Sequence, residues 1–428
     1  MQLQDITDPN CDPDNPRVVT CDEVVSAYSI IKDNIIRTPC TISRLGCQLN
    51  TELYFKKEFM QYTGNFKERG ANHAIIRMKE RNPGVAGAVS ASAGNHASAM
   101  AYHGKCLGVP VVVVMPETAP MMKRKLCEDL GAKVILYGTT LSDCKKYGLN
   151  YAMRNGMEYI NGYDHVDILA GAGTISMEIL EDVPDVDVII CPIGGGGLLA
   201  GICAYAKGNC DRQPIVIGVE TDKCPGFTQA MNAGKPSPAE TLPTLAEGLA
   251  VPVVGYNSYA TAAPLVDQVV VVEEKWVMLA ILYLIEYEKA VVEGAGAVGL
   301  AAILSGKLDD VVQNKKVVVV LSGGNIDVTV LSRVIERALA ADGRLIEMAV
   351  TIQDKPTQLP ELLKEIAAIG ANVVHLEENR AFILSQVWNV EVRLRCEVLG
   401  KDMINTLQEK MNAKYGSNFR ILENAAIV

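Results

Sequence analysis

Val186-Asp187-Val188-Ile189-Ile190-Cys191-Pro192-Ile193-Gly194-Gly195-Gly196-Gly197-Leu198-Leu199-Ala200-Gly201-Ile202 passes from an apolar, β-branched segment through four glycines into a second apolar one. The first part reads as a buried parallel strand and the last as the start of a helix. Strand, glycine turn and helix together make an anion site. Without β-carbons the turn can bring successive backbone N–H groups to one phosphate, and the helix adds the positive end of its dipole. A Walker A loop would end in Gly-Lys-Ser/Thr, and a dinucleotide fingerprint would read Gly-x-Gly-x-x-Gly. Gly194 to Leu199 supplies neither completely, so nucleotide readings weaken. A flexible surface turn competes, but four glycines between a buried strand and a helix lose much entropy without a ligand.

Two further segments repeat the pattern. Ser90-Ala91-Ser92-Ala93-Gly94-Asn95-His96-Ala97 follows the strand-like Gly87-Ala88-Val89 and opens a helix-like stretch from Ala97 to Gly104. Such a turn offers N–H groups and the Ser92 hydroxyl to a carboxylate, and Asn95 offers a side-chain amide. Val317 to Leu321 forms another apolar strand, ending in Ser322-Gly323-Gly324-Asn325. A fourth segment, Thr63-Gly64-Asn65-Phe66-Lys67-Glu68-Arg69-Gly70-Ala71, carries a lysine that taken alone would pass for a solvated one, flanked as it is by Glu68 and Arg69. In an open α/β sheet these four would gather at the carboxyl ends of the strands.

Taken in this order, the segments resemble the fold-type II pyridoxal-phosphate enzymes, the tryptophan-synthase-β-like superfamily, over about residues 20 to 330. Within it the chain is most similar to threonine dehydratases, on Asn65 to Ala71, Ala91 to Ala97, Gly171-Ala172-Gly173-Thr174, Pro192 to Gly197 and Leu321 to Asn325. The resemblance implies that pyridoxal 5'-phosphate is the cofactor and that Lys67 forms the Schiff base with it and later removes the substrate's α-proton. It also implies that Gly194, Gly195, Gly196 and Gly197 hold the phosphate, Asn95 bonds the ring oxygen, Phe66, Gly248 and Glu293 line the ring, and Ser322 faces the pyridine nitrogen. Ser92, Ala93, Gly94, Asn95 and His96 would cradle the carboxylate of an amino-acid substrate. A serine at the pyridine nitrogen leaves that nitrogen essentially neutral, where an aspartate would keep it protonated. The weaker electron sink favours prompt loss of a β-hydroxyl. The implied reaction is α,β-elimination from L-threonine or L-serine to a 2-oxo acid and ammonia.

Several positions depart from the family pattern. Ala93 stands where serine racemases carry a second, proton-donating serine, which argues against efficient racemisation. Asn65 replaces a common serine, Ala172 a common glutamine, and Asn161-Gly162-Tyr163-Asp164 the usual His-Pro-Phe-Asp type of sequence. Glu220 aligns with the first ligand of a divalent-cation site in some relatives, yet Gly226 stands where a second carboxylate is expected. Glu220 is therefore a weak metal candidate, and a solvated strand-end carboxylate is the preferred reading. A serine racemase or another fold-type II enzyme is the first alternative. A catalytically silent amino-acid sensor is the second.

Composition bounds the rest. The chain has 428 residues, 49% hydrophobic and 21% charged, with 40 basic against 50 acidic side chains and a formal net charge of −10. A nucleic-acid backbone would be repelled. The longest apolar run, Trp276 to Ile285, is half the roughly 20 residues a membrane span needs, so a buried helix is expected. Residues 1–20, with Asp5, Asp8, Asp12 and Asp14 near the start, are expected to be a disordered arm unlike a secretory or mitochondrial presequence, which places the protein in the cytoplasm. None of the twelve cysteines forms a Cys-x-x-Cys pair, and they read as reduced packing residues.

An α/β catalytic domain is expected over residues 21–338, made of two open α/β subdomains with the smaller near 60–165. After about residue 340 the period changes. Arg344 to Ile352 alternates as a half-buried strand, Gln358 to Ile369 spaces its apolar residues on one helical face, and Asn372 to Leu376 and Trp388 to Cys396 alternate again. A helix from Asp402 to Tyr415 and a short strand near Phe419 complete β-α-β-β-α-β. Residues 339–428 thus resemble an ACT regulatory domain, a ferredoxin-like α+β module. That resemblance implies either an amino-acid or nucleotide effector site or a dimerisation module, and a homodimer or homotetramer.

Overall fold

The computed structural model describes residues 3–208, 213–383 and 385–423. The chain divides into two compact units, Met1–Ile326 and Asp327–Val428. The division falls before the helix Val328–Ala341 rather than at 338/339, because that helix packs with the strand Leu345–Gln353 of the second unit.

The first unit holds two sheets. One has six strands in the spatial order Cys40–Ile42, Glu52–Lys56, Lys316–Val320, Val188–Pro192, Ile215–Thr221 and Gln268–Val272; only the first pair is antiparallel. The other is a four-stranded parallel sheet in the order Lys133–Leu136, Val111–Met115, Ala88–Ala91 and Glu158–Tyr159, within the 60–165 region expected for the smaller subdomain. The central strands are runs of Val and Ile with no alternation, as a parallel sheet covered on both faces demands. Val317 to Val320 and Val188 to Cys191 are all fully buried, each side chain contributing about 1.5–3 kcal/mol of apolar burial. Apart from Cys40–Ile42, the strands of each sheet run parallel, so their carboxyl ends and the loops that follow share one edge.

Residues 4–19 do not form a disordered arm. The Gln4 amide donates to Asn150 Oδ1 (3.0 Å) and Asn150 Nδ2 donates to the Gln4 carbonyl (2.9 Å). Further on, the Arg17 amide donates to Asn257 Oδ1 (2.7 Å) and the Val19 amide to Thr261 Oγ1 (3.0 Å). Cys11, Val19 and even Asp8 are buried, while Asp5 and Asp14 stay exposed. The acidic composition suggested disorder, but the backbone and a few apolar side chains find partners on Leu141–Arg154 and Tyr256–Ala262.

The expected helix at Trp276 to Ile285 is Glu274–Tyr283, continued by a π-helical turn at Leu284–Glu288. The second unit is an antiparallel sheet in the order Asn372–Asn379, Asn389–Glu397, Leu345–Gln353 and Phe419–Glu423, with helices Gln358–Ile369 and Lys401–Tyr415. Its strand order 2-3-1-4 and β-α-β-β-α-β sequence are ferredoxin-like.

Candidate active site

Lys67 is the first residue of the helix Lys67–Arg81. Asn65, at the position of a common serine, starts this helix: its Oδ1 accepts the Lys67 amide at 3.0 Å while its Nδ2 donates to the Thr63 carbonyl at 2.9 Å. The Lys67 amine donates to the Gly162 carbonyl at 2.6 Å and lies 5.3 Å from the centre of the Phe66 ring. Burial pushes its pKa down to about 8, against the raising charge of Glu293. An amine so placed gives up its proton far more readily than a surface lysine.

The tetraglycine packs against Tyr163, the residue that follows Gly162. Gly196 takes φ +92° as the N-cap of the helix Gly197–Ala206, a conformation glycine adopts without strain. A β-carbon on Gly195 would fall 2.2 Å from Cδ2 of the Tyr163 ring, and one on Gly197 would fall 2.6 Å from the Tyr163 carbonyl oxygen. Gly162 and Tyr163 therefore touch the Lys67 amine and the glycine loop respectively, bringing the two sequence signals to one place. The segment is held from behind. Asp164 accepts the amides of Tyr256 and Ser258 at 3.0 Å each, and Ser258 Oγ donates to the Tyr163 carbonyl at 2.5 Å. Gly248 sits close by: a β-carbon on Gly194 would lie 3.1 Å from the Gly248 carbonyl, and one on Gly248 would lie 3.1 Å from Ala295 Cβ.

The Ser322 loop is zipped to the Lys67 loop. The Phe66 amide donates to the Ser322 carbonyl and the Gly324 amide to the Gly64 carbonyl, both at 2.9 Å. Ser322 is buried. Opposite, Asn95 begins the helix Asn95–Cys106 and its Nδ2 donates to Glu293 Oε1 at 2.6 Å. Burial raises the Glu293 carboxyl to about 7, with the Asn95 hydrogen bond pulling the other way. Of the Ser92 to His96 group, Ser92 Oγ accepts the Gly94 amide (3.3 Å), and Ala93 packs against the core beneath. Gly94 is exposed with open space where a β-carbon would stand. The His96 ring leaves this turn. It is buried against Gly162 and, apart from the Ile160 carbonyl, its nitrogens have no hydrogen-bond partner among the described residues. Burial, then the charge of Lys67, lowers its pKa to about 3, so the imidazole brings no charge to a carboxylate.

Two readings of charged residues need correction. Glu220 is not the solvated strand-end carboxylate expected. It is 1% exposed and accepts the amides of Phe227 (2.6 Å) and Thr228 (2.9 Å) and the Thr228 hydroxyl (2.7 Å), so its oxygens serve the first turn of the helix Gly226–Ala233. Glu68 and Arg69, taken as marks of a surface, are buried directly behind Lys67. Arg69 donates to Glu58 (2.7 and 2.8 Å) and Glu178 (2.7 and 2.8 Å), and Lys56 donates to Glu178 at 2.6 Å. Burial by itself would raise the Glu58 carboxyl, but the Arg69 charge and its hydrogen bonds outweigh that and hold it below the usual range. Partners 11, 109 and 122 residues apart leave no local signal. The Asn161 to Asp164 segment was visible only as a departure from a pattern.

Comparison with known proteins identifies the family. The family model described as pyridoxal-phosphate dependent enzyme matches residues 31–323. This chain belongs to that family. An L-threonine ammonia-lyase of Thermotoga maritima is 36% identical over 95% of the chain and 100% of the relative. Another, from Geobacter sulfurreducens, is 40% identical over 83% and 88%. Maize serine racemase superposes with a TM-score of 0.69 at 30% identity, covering 75% of this chain and 98% of that one.

Pyridoxal phosphate, the family's cofactor, fits the residues present. Its aldehyde calls for an amine that loses its proton easily, which Lys67 is. Its phosphate calls for backbone amides at a helix start, which the Gly194 to Gly197 turn provides without a charged side chain. Its ring calls for a flat apolar neighbour and uncharged polar groups, supplied by Phe66, Asn95 and Ser322.

Proposed function

We propose that this chain is an ammonia-lyase that converts L-threonine to 2-oxobutyrate and ammonia, and L-serine to pyruvate and ammonia. The observation that carries the reading is the contact of adjacent Gly162 and Tyr163 with the Lys67 amine and the glycine turn, which sets a low-pKa amine beside a phosphate receptor.

When bound, pyridoxal phosphate supplies the electron sink that makes the substrate's α-hydrogen acidic and lets the β-hydroxyl depart. The chain does the rest. Lys67 holds the cofactor and, as a free amine with a pKa near 8, takes the α-proton. The Gly194 to Gly197 amides and the dipole of Gly197–Ala206 fix the phosphate end. Ser322 would offer the pyridine nitrogen a hydroxyl, which cannot keep that nitrogen protonated as a carboxylate would. The Ser92 to His96 turn receives the substrate carboxylate through its hydroxyl and first-turn amides, which have no intrahelical acceptor. Elimination removes the elements of water, and hydrolysis restores them as nitrogen leaves, so the sum is threonine to 2-oxobutyrate and ammonia.

Racemisation is the second reading, favoured by the likeness to maize serine racemase. Ala93 opposes it, since a methyl group delivers no proton to the other face. The test is 2-oxo acid release from cofactor-loaded protein given L-threonine and L-serine separately, with Lys67→Ala as control. Product that vanishes in the control is expected; D-serine without 2-oxo acid would overturn the lyase in favour of the racemase.

The ferredoxin-like unit is read as an ACT-type module for an amino-acid or nucleotide effector. Its first turn, Asp354-Lys355-Pro356-Thr357, is tied to Arg380 through Asp354 (2.7 and 3.1 Å). Melting curves of the full chain with a panel of amino acids and nucleotides test this; a panel that moves none of them leaves a dimerisation module instead.

A further inference from the structure

Asn95 has two ends, and only one suits a cofactor's ring oxygen. Which end faces the ring is decided elsewhere. The Thr63 carbonyl can only accept, and Asn325 Nδ2 donates to it at 2.9 Å. The same Nδ2 donates its second hydrogen to Asn95 Oδ1 at 2.7 Å. At the other end, Asn95 Nδ2 donates to Glu293 Oε1 at 2.6 Å. Acceptors at both ends of this chain, a backbone carbonyl and a carboxyl oxygen, orient both amides and forbid flipping either one alone. One hydrogen of Asn95 Nδ2 remains, on the end away from Asn325.

Thr63 itself is a firm anchor. Its amide donates to Glu68 Oε1, and Glu68 Oε2 accepts from His103 Nε2 at 3.2 Å. His103 Nδ1 lies 3.0 Å from Asn72 Nδ2. Glu68, Asn72 and His103 are all buried. His103 stands two helical turns beyond Asn95 on Asn95–Cys106, so the loop preceding Lys67 grips that helix at two points.

The geometry points to Asn325 as a positioning residue: by fixing Asn95 Oδ1 against the Thr63 loop, it presents Asn95 Nδ2 as the donor to the ring oxygen of bound pyridoxal phosphate. This rests on the lyase reading for the cofactor and extends it to a residue that acts through Asn95. Asn325 is exposed, so replacing it opens no cavity and leaves the fold intact.

The test is a double-mutant cycle on cofactor affinity, measured by equilibrium titration of apoprotein with pyridoxal phosphate alongside melting temperature. Asn325→Ala is expected to weaken binding about three- to tenfold, the worth of one hydrogen bond, with little change in melting. Asn325→Asp, which cannot donate to the two carbonyl oxygens, should match it. Asn95→Ala should weaken binding at least as much, and the double variant no further than Asn95→Ala alone. Full additivity, or an Asn325→Ala variant with unchanged affinity, overturns the proposal and leaves Asn325 a loop clasp. Wild-type protein that takes up the cofactor but makes no 2-oxo acid defeats the lyase reading only; protein that takes up none defeats both.

Discussion

The two walls of the site are built from opposite materials. Behind Lys67 stand Lys56, Glu58, Arg69 and Glu178, four ionised side chains with at most 1% exposure and every one of them paired. The phosphate wall is bare backbone: four glycines, a helix start, and the Tyr163 ring pressed against them. Ions buried this deeply are stable only as a complete set, whereas a glycine turn is indifferent to charge and intolerant of volume. The two walls thus have two kinds of fragility, one thermodynamic and one steric.

Arg69→Ala strikes the first wall. It takes from Glu58 its cation and leaves Glu178 with Lys56 alone, and should cost about 3–5 kcal/mol, read as a lower urea midpoint for the unit Met1–Ile326. An unchanged midpoint would mean that water or another cation takes over, and the contrast between the walls would fail. Gly195→Ala strikes the second. Its methyl group meets the Tyr163 ring at 2.2 Å, and a displacement on that scale is expected to lower the rate of 2-oxo acid formation by about 100-fold with a smaller change in stability. Equal damage to stability from both variants would erase the distinction.

The smallest effect sharpens it. Glu293 lies between the walls with its carboxyl raised by burial to about 7. A folded pKa above the unfolded one, near 4.5, means that stability falls as pH rises from about 4.5 to 7 and stays lower above that. Glu293→Gln removes this penalty and keeps an acceptor for Asn95. The apoprotein variant should therefore melt a few degrees above wild type at pH 8, with the difference closing towards pH 4.5; a constant difference would show that charge is not the cause.

The sequence exposed the phosphate wall and concealed the other. Four glycines after Val188 to Cys191 declare themselves locally, and the strict alternation and helical spacing after residue 340 laid out every element of the ferredoxin-like unit. The ion cluster is completed by Glu178, more than a hundred residues from its partners, and Glu68 and Arg69 look like any solvated pair until Glu58 and Glu178 arrive beside Arg69. Composition misled at residues 4–19, where scattered aspartates hid a segment pinned by Asn150, Asn257 and Thr261. It misled again at Glu220, whose partners are backbone amides that no sequence pattern records.

The account turns on Lys67 being the lysine that holds the cofactor. Incubation of the protein with pyridoxal phosphate, borohydride reduction and peptide mass mapping test this directly. A pyridoxyl group on the peptide containing Lys67, absent from Lys67→Ala, is the predicted result; a label on another lysine, or none on the wild-type chain, would contradict it.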